Sequence, residues 1–176
     1  MELTITAAPR HPVNPADRTA DPLDDALGVI FFAFRDLTAE PDRVLAERGL
    51  SRVHHRILYF VRRSPGLGPG DLVRILRVSK QALARPFREL LGQRLLASQA
   101  VPENRRRKAL RLTPAGARLE RRLSGAERRR FARAFRAAGP DAAEGWRAVM
   151  AGLREGRTGA DGALPRPVQR RPRRAS

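Results

Sequence analysis

The sequence of 176 residues contains no cysteine and only three histidines, of which His54 and His55 are adjacent. The lack of cysteine excludes disulfide frameworks, thiolate zinc sites and cysteine nucleophiles. Three histidines are too few for a histidine metal cage or for a convincing Ser-His-Asp set. The glycines at 66, 68 and 70 do not have the G-x-G-x-x-G spacing of a nucleotide loop. We therefore expect no metal, no cofactor and no enzymatic activity.

Long apolar segments are absent as well. The longest apolar run, residues 26–34, is far shorter than the ~20 residues that a membrane-spanning helix needs. The first residues, MELTITAAPRHP, lack the basic and apolar regions of a signal peptide. We expect a soluble, cytoplasmic protein that does not enter a membrane.

Acidic residues are scarce beside basic ones: 18 Asp and Glu face 36 Lys and Arg, for a net charge of +18. Nearly all the basic residues are arginine, which a GC-rich genome explains without any function. Their distribution is more informative, because residues 51–125 hold 18 basic and only 4 acidic residues. A charge of this size and position favours a nucleic-acid partner.

The two ends of the chain differ from its middle. Residues 1–20 contain three prolines and no periodic pattern, which predicts a disordered arm, and residues 157–176 predict a disordered basic tail. One domain is expected between them, over residues 21–156. Its first helix begins at Asp21-Pro22 and carries a wide apolar stripe, and Pro41 is expected to break or restart it.

Two shorter helices are predicted next. Ser51 caps a helix over about 52–63, and the Pro- and Gly-rich residues 64–70 form an irregular connector. Asp71 then opens a short helix that ends near Val78.

A further helix and a hairpin complete the pattern. Ser79 caps a helix over about 80–92, and Leu95–Val101 is a plausible strand. A basic turn over 102–107 leads to a returning strand, Lys108–Leu112. The pattern predicts a mainly α protein with a small β-hairpin wing, a winged helix-turn-helix whose DNA-binding part covers about 51–112.

The remaining helices are predicted to dimerise. Thr113-Pro114 begins a long helix that ends at Gly139-Pro140, and a last helix covers about 141–155. Together with residues 21–48, the helices of 113–156 are expected to form one intersubunit layer, because a single small domain cannot cover their aromatic side chains. These aromatic residues are Phe31, Phe32, Phe34, Phe131, Phe135 and Trp146.

The helix over 80–92 is the candidate reading element. With Leu83 inward, its outer face presents glutamine and arginine, which can pair bidentately with adenine and guanine. Its N-terminus can meet a phosphate. The candidate DNA-binding residues are Ser79, Lys80, Gln81, Ala84, Arg85 and Arg88, joined by Arg105, Arg106 and Arg107 at the wing tip.

Residues 49–120 resemble the MarR (multiple antibiotic resistance regulator) family. The resemblance rests on Gly49-Leu50-Ser51, Val78-Ser79-Lys80, Asn104-Arg105-Arg106 and Leu112-Thr113-Pro114-Ala115-Gly116. It implies a homodimeric transcription regulator that binds a pseudo-palindromic operator, and many members of the family are released by small aromatic ligands.

Two positions depart from the family pattern. The wing has Asn104 where Asp is usual, so that bracing of the wing arginine is weaker or comes from Glu103; by position, Arg106 is the arginine that enters a minor groove. Pro86 lies inside the reading helix, where it costs roughly 3 kcal/mol or a bend. Either the helix bends near residues 82–86, or the assignment of the helix is off by one turn.

The resemblance also points to an effector cleft near the second helix. There His55 and Tyr59 are the candidate ligand-binding residues, with hydrogen-bonded packing as the other reading of His54 and His55. The alternative function is an architectural or RNA-binding protein that uses the same charge without sequence preference.

Overall fold

The computed structural model describes residues 21–101 and 104–153. Within these ranges it contains six helices and a two-stranded antiparallel sheet, which confirms the mainly α architecture with a small hairpin. The elements are α1 (Pro22–Ala46), α2 (Arg52–Arg63), α3 (Pro69–Leu76), α4 (Lys80–Gly92), β1 (Leu96–Val101), β2 (Asn104–Leu112), α5 (Pro114–Ala138) and α6 (Ala142–Gly152). The predicted arm 1–20 and tail 157–176 lie outside the described residues.

The chain divides into two compact units between Asp36 and Leu37. The described part of the first unit, residues 21–36, is the first portion of α1. Asp21 begins this helix as predicted, because its Oδ1 accepts the backbone N–H of Leu23 at 2.9 Å. The large apolar side chains of this unit are exposed, with Phe31 at 72%.

The expectation that Pro41 breaks the first helix is wrong, since α1 continues to Ala46. A proline inside a helix removes one backbone hydrogen bond, here the bond to the carbonyl of Leu37. Pro41 is fully buried, and Val44 and Leu45 beyond it belong to the core. The packing of this last part of α1 in the second unit offsets the lost bond.

The core of the second unit is built largely from leucine. It joins the end of α1 to α2, α3, α4, the hairpin and α5, and its most deeply buried apolar side chains are Leu45, Ile57, Leu58, Leu72, Leu90, Leu110 and Leu123. Helix α2 has the predicted bounds and packs on α5, β2 and α4. It is the central helix around which the hairpin and α4 are placed.

Helix α3 begins earlier than expected. Its cap is Gly68 and its first residue is Pro69, so that Asp71 stands in the third position, and the helix ends at Leu76 before Val78. The Asp71 carboxylate accepts the backbone N–H of Gly68 at 2.8 Å. Asp71 therefore does stabilise the helix start, but from within the first turn, as an acidic residue does in a capping box.

The second strand of the hairpin is also longer than predicted. Strand β2 begins at Asn104, so residues 104–107 belong to the strand and not to the turn. Ala100 pairs with Lys108 and the next residue, Val101, pairs with Asn104, so the register shifts between them. The arginine run of residues 105–107 falls at this shift, where one step along β1 corresponds to the passage from Lys108 to Asn104 on β2.

The last two helices agree with the sequence more closely. Thr113 caps α5 through a hydrogen bond from Gly116 N–H to its Oγ1 (3.0 Å), and Gly139 follows the last helical residue. Phe131, Phe135 and Trp146 pack together with ring centroids 5.3 to 5.8 Å apart, so these aromatic residues partly cover one another. Over the described ranges, none of the helices combines the length and apolarity needed to cross a membrane.

Candidate nucleic-acid interface

Helices α3 and α4 form the helix-turn-helix. The turn between them holds Arg77 in the left-handed region, with φ of 53°. Ser79 caps α4, because its Oγ accepts the backbone N–H of Ala82 at 3.0 Å. Leu83 and Leu90 are buried. The predicted DNA-binding residues at the cap and in α4 are exposed: Ser79, Lys80, Gln81, Ala84, Arg85 and Arg88.

Pro86 does not interrupt α4, which runs from Lys80 to Gly92 as predicted and is not displaced by a turn. Its ring is buried on the same side as Leu83 and Leu90. The carbonyl that loses its hydrogen bond belongs to Ala82, an exposed residue of the helix. The proline therefore packs on the core side and leaves the outward face of α4 to the polar side chains.

The wing arginines are placed by β2. The backbone of Arg105, Arg106 and Arg107 lies in the strand, between the paired residues Asn104 and Lys108. Their side chains, like Glu103 as the candidate brace, lie outside what the structure describes, so their contact with DNA stays a prediction.

Arg85 is held by a carboxylate on its own helix. Its Nε donates to Oε1 of Glu89 at 2.9 Å, and Oε2 of Glu89 lies 2.8 Å from Nε2 of His54 in α2. The side chains are 83%, 32% and 4% exposed in that order, so the row runs from solvent into the core. The bond from Arg85 and then that from His54 lower the pKa of Glu89 below its usual value.

The tautomer of His54 follows from its second contact. Its Nδ1 accepts the backbone N–H of Ser51 at 2.9 Å. A backbone N–H can only donate, so Nδ1 carries no proton and Nε2–H of the neutral ring donates to Glu89. His54 thus takes the place that Glu or Gln has in a capping box, and it ties the start of α2 to α4.

His55, predicted as a ligand-binding residue, lies in a polar cluster with Glu120 and Ser124, which are buried, and Glu127, which is partly exposed. The hydroxyl of Ser124 donates its proton to Oε1 of Glu120 at 2.7 Å, so the Oγ of Ser124 acts as the acceptor for Nε2–H of His55 at 3.1 Å. Nδ1 of His55 faces Oε1 of Glu127 at 3.7 Å. This is the hydrogen-bonded packing that the sequence left open, and contact with an effector stays a prediction.

The cluster contains a fully buried carboxylate. Glu120 is 0% exposed, and its Oε2 lies 3.0 Å from Nη1 of Arg62 in an ion pair that is not aligned as a hydrogen bond. A buried carboxylate is costly unless it is paired, and Arg62 is the cation that faces it. Burial also raises the pKa of Glu127 and lowers the pKa of His55.

The lowered pKa of His55 has a consequence for stability. Below its ordinary pKa of 6.5, the unfolded state takes up a proton that the buried ring resists, so His55 contributes stability above that pH and loses it as the pH falls. We expect the free energy of unfolding to decrease from about pH 7.5 to 5.5, and His55→Gln to remove about 0.5–1 kcal/mol of that decrease. Urea denaturation at both pH values measures it.

The comparison between the two proteins isolates the histidine. The raised pKa of Glu127 acts in the opposite direction, but it is present in both proteins. Glutamine keeps a donor for Ser124 and has no proton to gain. Equal pH dependence of the two proteins contradicts the assignment.

Tyr59, the other candidate for ligand binding, is half-buried on α2. Its ring lies 5.2 Å from the ring of Phe60, and the guanidinium of Arg63 lies over it, 4.2 Å from its centroid. An accessible aromatic ring and a cation therefore stand side by side at this place. In the part of the chain that is described, no three His, Asp or Glu side chains are grouped as metal ligands.

Comparisons with known sequences agree on one family. Residues 48–107 match the model of the MarR family. The chain is 42% identical to the HTH-type transcriptional regulator PetP of Rhodobacter capsulatus over 132 residues. This alignment covers 75% of this chain and 80% of that protein.

Solved structures show the same fold. The MarR family transcription regulator SP03579 matches with a TM-score of 0.65 and 21% identity, over 81% of this chain and 94% of that one. The crystal structure of MarR matches with a TM-score of 0.60 and 25% identity, over 84% and 95%.

Proposed function

The chain belongs to the MarR family of transcription regulators, and from this premise we propose that it is a homodimeric repressor that binds a specific double-stranded DNA operator and responds to a small ligand. It is a regulator of the MarR type and not an enzyme. Because chromosomal DNA is its target, the proposal places the protein in the cytoplasm.

The observation that carries the proposal is the exposed face of α4. Arg85 and Arg88 lie where they can reach guanine, Gln81 can pair with adenine, and Ala84 allows the helix to approach the bases closely. Lys80 stands at the start of α4, where a phosphate is favoured. The wing, with Arg106 foremost, is proposed to contact the backbone and a flanking minor groove.

Exposed apolar side chains support the homodimer. In the described residues they occur on α1, on α6 and at the residue that follows α6: Leu23, Leu27, Val29, Ile30, Phe31, Phe32, Phe34, Trp146, Val149 and Leu153. Apolar surface of this kind indicates a partner, and two-fold pairing is the usual closed arrangement.

Light scattering tests the dimer. We expect twice the chain mass of 19.6 kDa. Phe31→Asp is expected to lower the mass towards that of one chain, with the helix content by circular dichroism as the control for folding. A wild-type monomer at micromolar concentration contradicts the dimer.

The ligand response is proposed from the family, and Tyr59 beside Arg63 suggests its chemistry. An aromatic carboxylate can lie against the ring and pair with the cation, near the buried His55. We expect salicylate to weaken operator binding about 5- to 150-fold and Tyr59→Ala to reduce this effect. No response across a panel of phenolic acids leaves a constitutive regulator.

Selection of bound sequences from random duplex DNA tests the function as a whole. We expect enrichment of an inverted repeat whose half-sites lie about one helical turn apart, as a two-fold dimer requires. Binding that falls steeply with salt and enriches no sequence favours the architectural or RNA-binding alternative instead.

A further inference from the structure

The row of hydrogen bonds from His54 through Glu89 to Arg85 is more than a surface ion pair. Glu89 receives Arg85 on one oxygen, at 2.9 Å, and the buried His54 on the other, at 2.8 Å. The position of His54 is fixed in turn by the backbone N–H of Ser51. An exposed i,i+4 pair is ordinarily mobile and contributes little. Here its acidic member is attached to a side chain that is 4% exposed.

The geometry leaves the reading end of Arg85 available. A guanidinium has five N–H donors, one on Nε and two on each Nη. The structure uses the Nε donor for Glu89, so both Nη groups can still meet two acceptors such as O6 and N7 of guanine. A side chain held in this way loses less conformational freedom when it binds.

We propose that His54 and Glu89 are positioning residues that orient Arg85, and that they thereby set how strongly the protein prefers guanine at the base pair that Arg85 reads. The inference rests on the proposed function, since it takes α4 as the reading helix. Neither positioning residue is required to touch DNA. His54 acts through Glu89, and Glu89 acts through the Nε of Arg85.

The alternative to a positioning role is that Glu89 acts only through its negative charge, and this alternative can be tested. If Glu89 were only an acidic group near DNA, Glu89→Ala would strengthen binding to every duplex by about the same factor, because it removes repulsion of the phosphates. A positioning role instead changes the ratio between two duplexes. The ratio of dissociation constants for the selected operator and for the operator with one G·C pair replaced by A·T therefore separates the two roles.

The test is a double-mutant cycle on these two duplexes. The base pair to replace is the one that Arg85 reads. It is identified as the pair at which Arg85→Ala reduces the wild-type ratio of dissociation constants by about 5- to 150-fold. We expect Glu89→Ala to reduce the same ratio about 3- to 5-fold, and to reduce it no further when Arg85 is already alanine. His54→Leu is expected to act like Glu89→Ala, and His54→Gln, which keeps a donor, to remain nearer the wild type.

Readouts on the free protein guard against misfolding. Circular dichroism must show that each variant is folded, and exchange of the Arg85 Nε–H by nuclear magnetic resonance is expected to accelerate in Glu89→Ala and His54→Leu. An unchanged base-pair ratio in a folded Glu89→Ala protein overturns the positioning role. A wild type with no preference for any duplex overturns the proposed function itself, so the two failures are distinct.

Discussion

Gly116→Ala should lose about 3–5 kcal/mol of the free energy of unfolding, although alanine ordinarily stabilises a helix relative to glycine. A Cβ at this position would lie 1.9 Å from the carbonyl oxygen of Leu95 and 2.8 Å from its carbon. Both neighbours are backbone atoms, so relief requires that α5 or the start of the hairpin move.

The surroundings oppose such a movement. Leu95 is 2% exposed, and its carbonyl accepts the backbone N–H of Thr113 at 3.2 Å. Thr113 Oγ1 also donates to the carbonyl of Arg94 at 2.6 Å and accepts the N–H of Gly116. A shift that makes room for a methyl group therefore breaks the hydrogen bonds that cap α5 and the close contact of α5 with the backbone of Leu95.

Gly125→Ala is the matched control in the same helix. There the nearest atom to an added Cβ is Nη1 of Arg129 at 3.5 Å, an ordinary contact with a flexible side chain. We expect a gain of about 0.5–1 kcal/mol at this position from helix propensity. Urea denaturation of both variants at one protein concentration measures the difference, and a Gly116→Ala protein as stable as Gly125→Ala contradicts the close approach.

Gly116 also illustrates what the sequence contains and what it does not. The segment from Leu112 to Gly116 contributed to the family resemblance, and Thr113-Pro114 predicted the start of α5 correctly. Nothing in the segment indicates that the glycine faces the backbone of a residue 21 positions earlier. Caps are local signals, whereas close approach depends on the tertiary structure.

The prolines inside helices are a second case in which the sequence did not predict the structure. Pro41 was expected to break its helix, and a helix assigned one turn off was one reading of Pro86, but both prolines lie inside continuous helices. A sequence pattern shows the lost hydrogen bond but not the burial of the ring that accompanies it. The start of α3 was misplaced for a related reason. An aspartate can accept a capping hydrogen bond when it is the cap residue itself or when it is the third residue of the helix, and Asp71 is the third residue.

Polar contacts between elements were the least predictable. The i,i+4 spacing of Arg85 and Glu89 is visible in the sequence, and it could have indicated their ion pair. His54 comes from another helix, 35 residues away from Glu89, and the link from His55 to Ser124 spans 69 residues. Such pairs become evident only when the packing of α2 against α4 and α5 is known.

DNA affinity should depend steeply on salt. The effect of salt should also distinguish residues that contact phosphates from residues that contact bases. If each subunit contacts four phosphates, the plot of log K against log salt has a slope near −7, and operator affinity falls about 10⁴-fold between roughly 50 and 200 mM salt. Arg106→Gln in both subunits is expected to flatten the slope by up to about 2, on operator and random duplex alike.

Arg88→Ala is expected to behave differently, because a base contact carries sequence information and a phosphate contact does not. Its loss should weaken operator binding about 5- to 150-fold and binding to random duplex much less. Arg133→Gln, which removes an exposed arginine from α5, is the control and should change the slope little. Salt titrations of the four proteins on both duplexes measure these effects. If Arg88→Ala lowers the affinity for operator and random DNA equally, α4 contacts DNA without recognising its sequence. The architectural alternative would then explain the charge better.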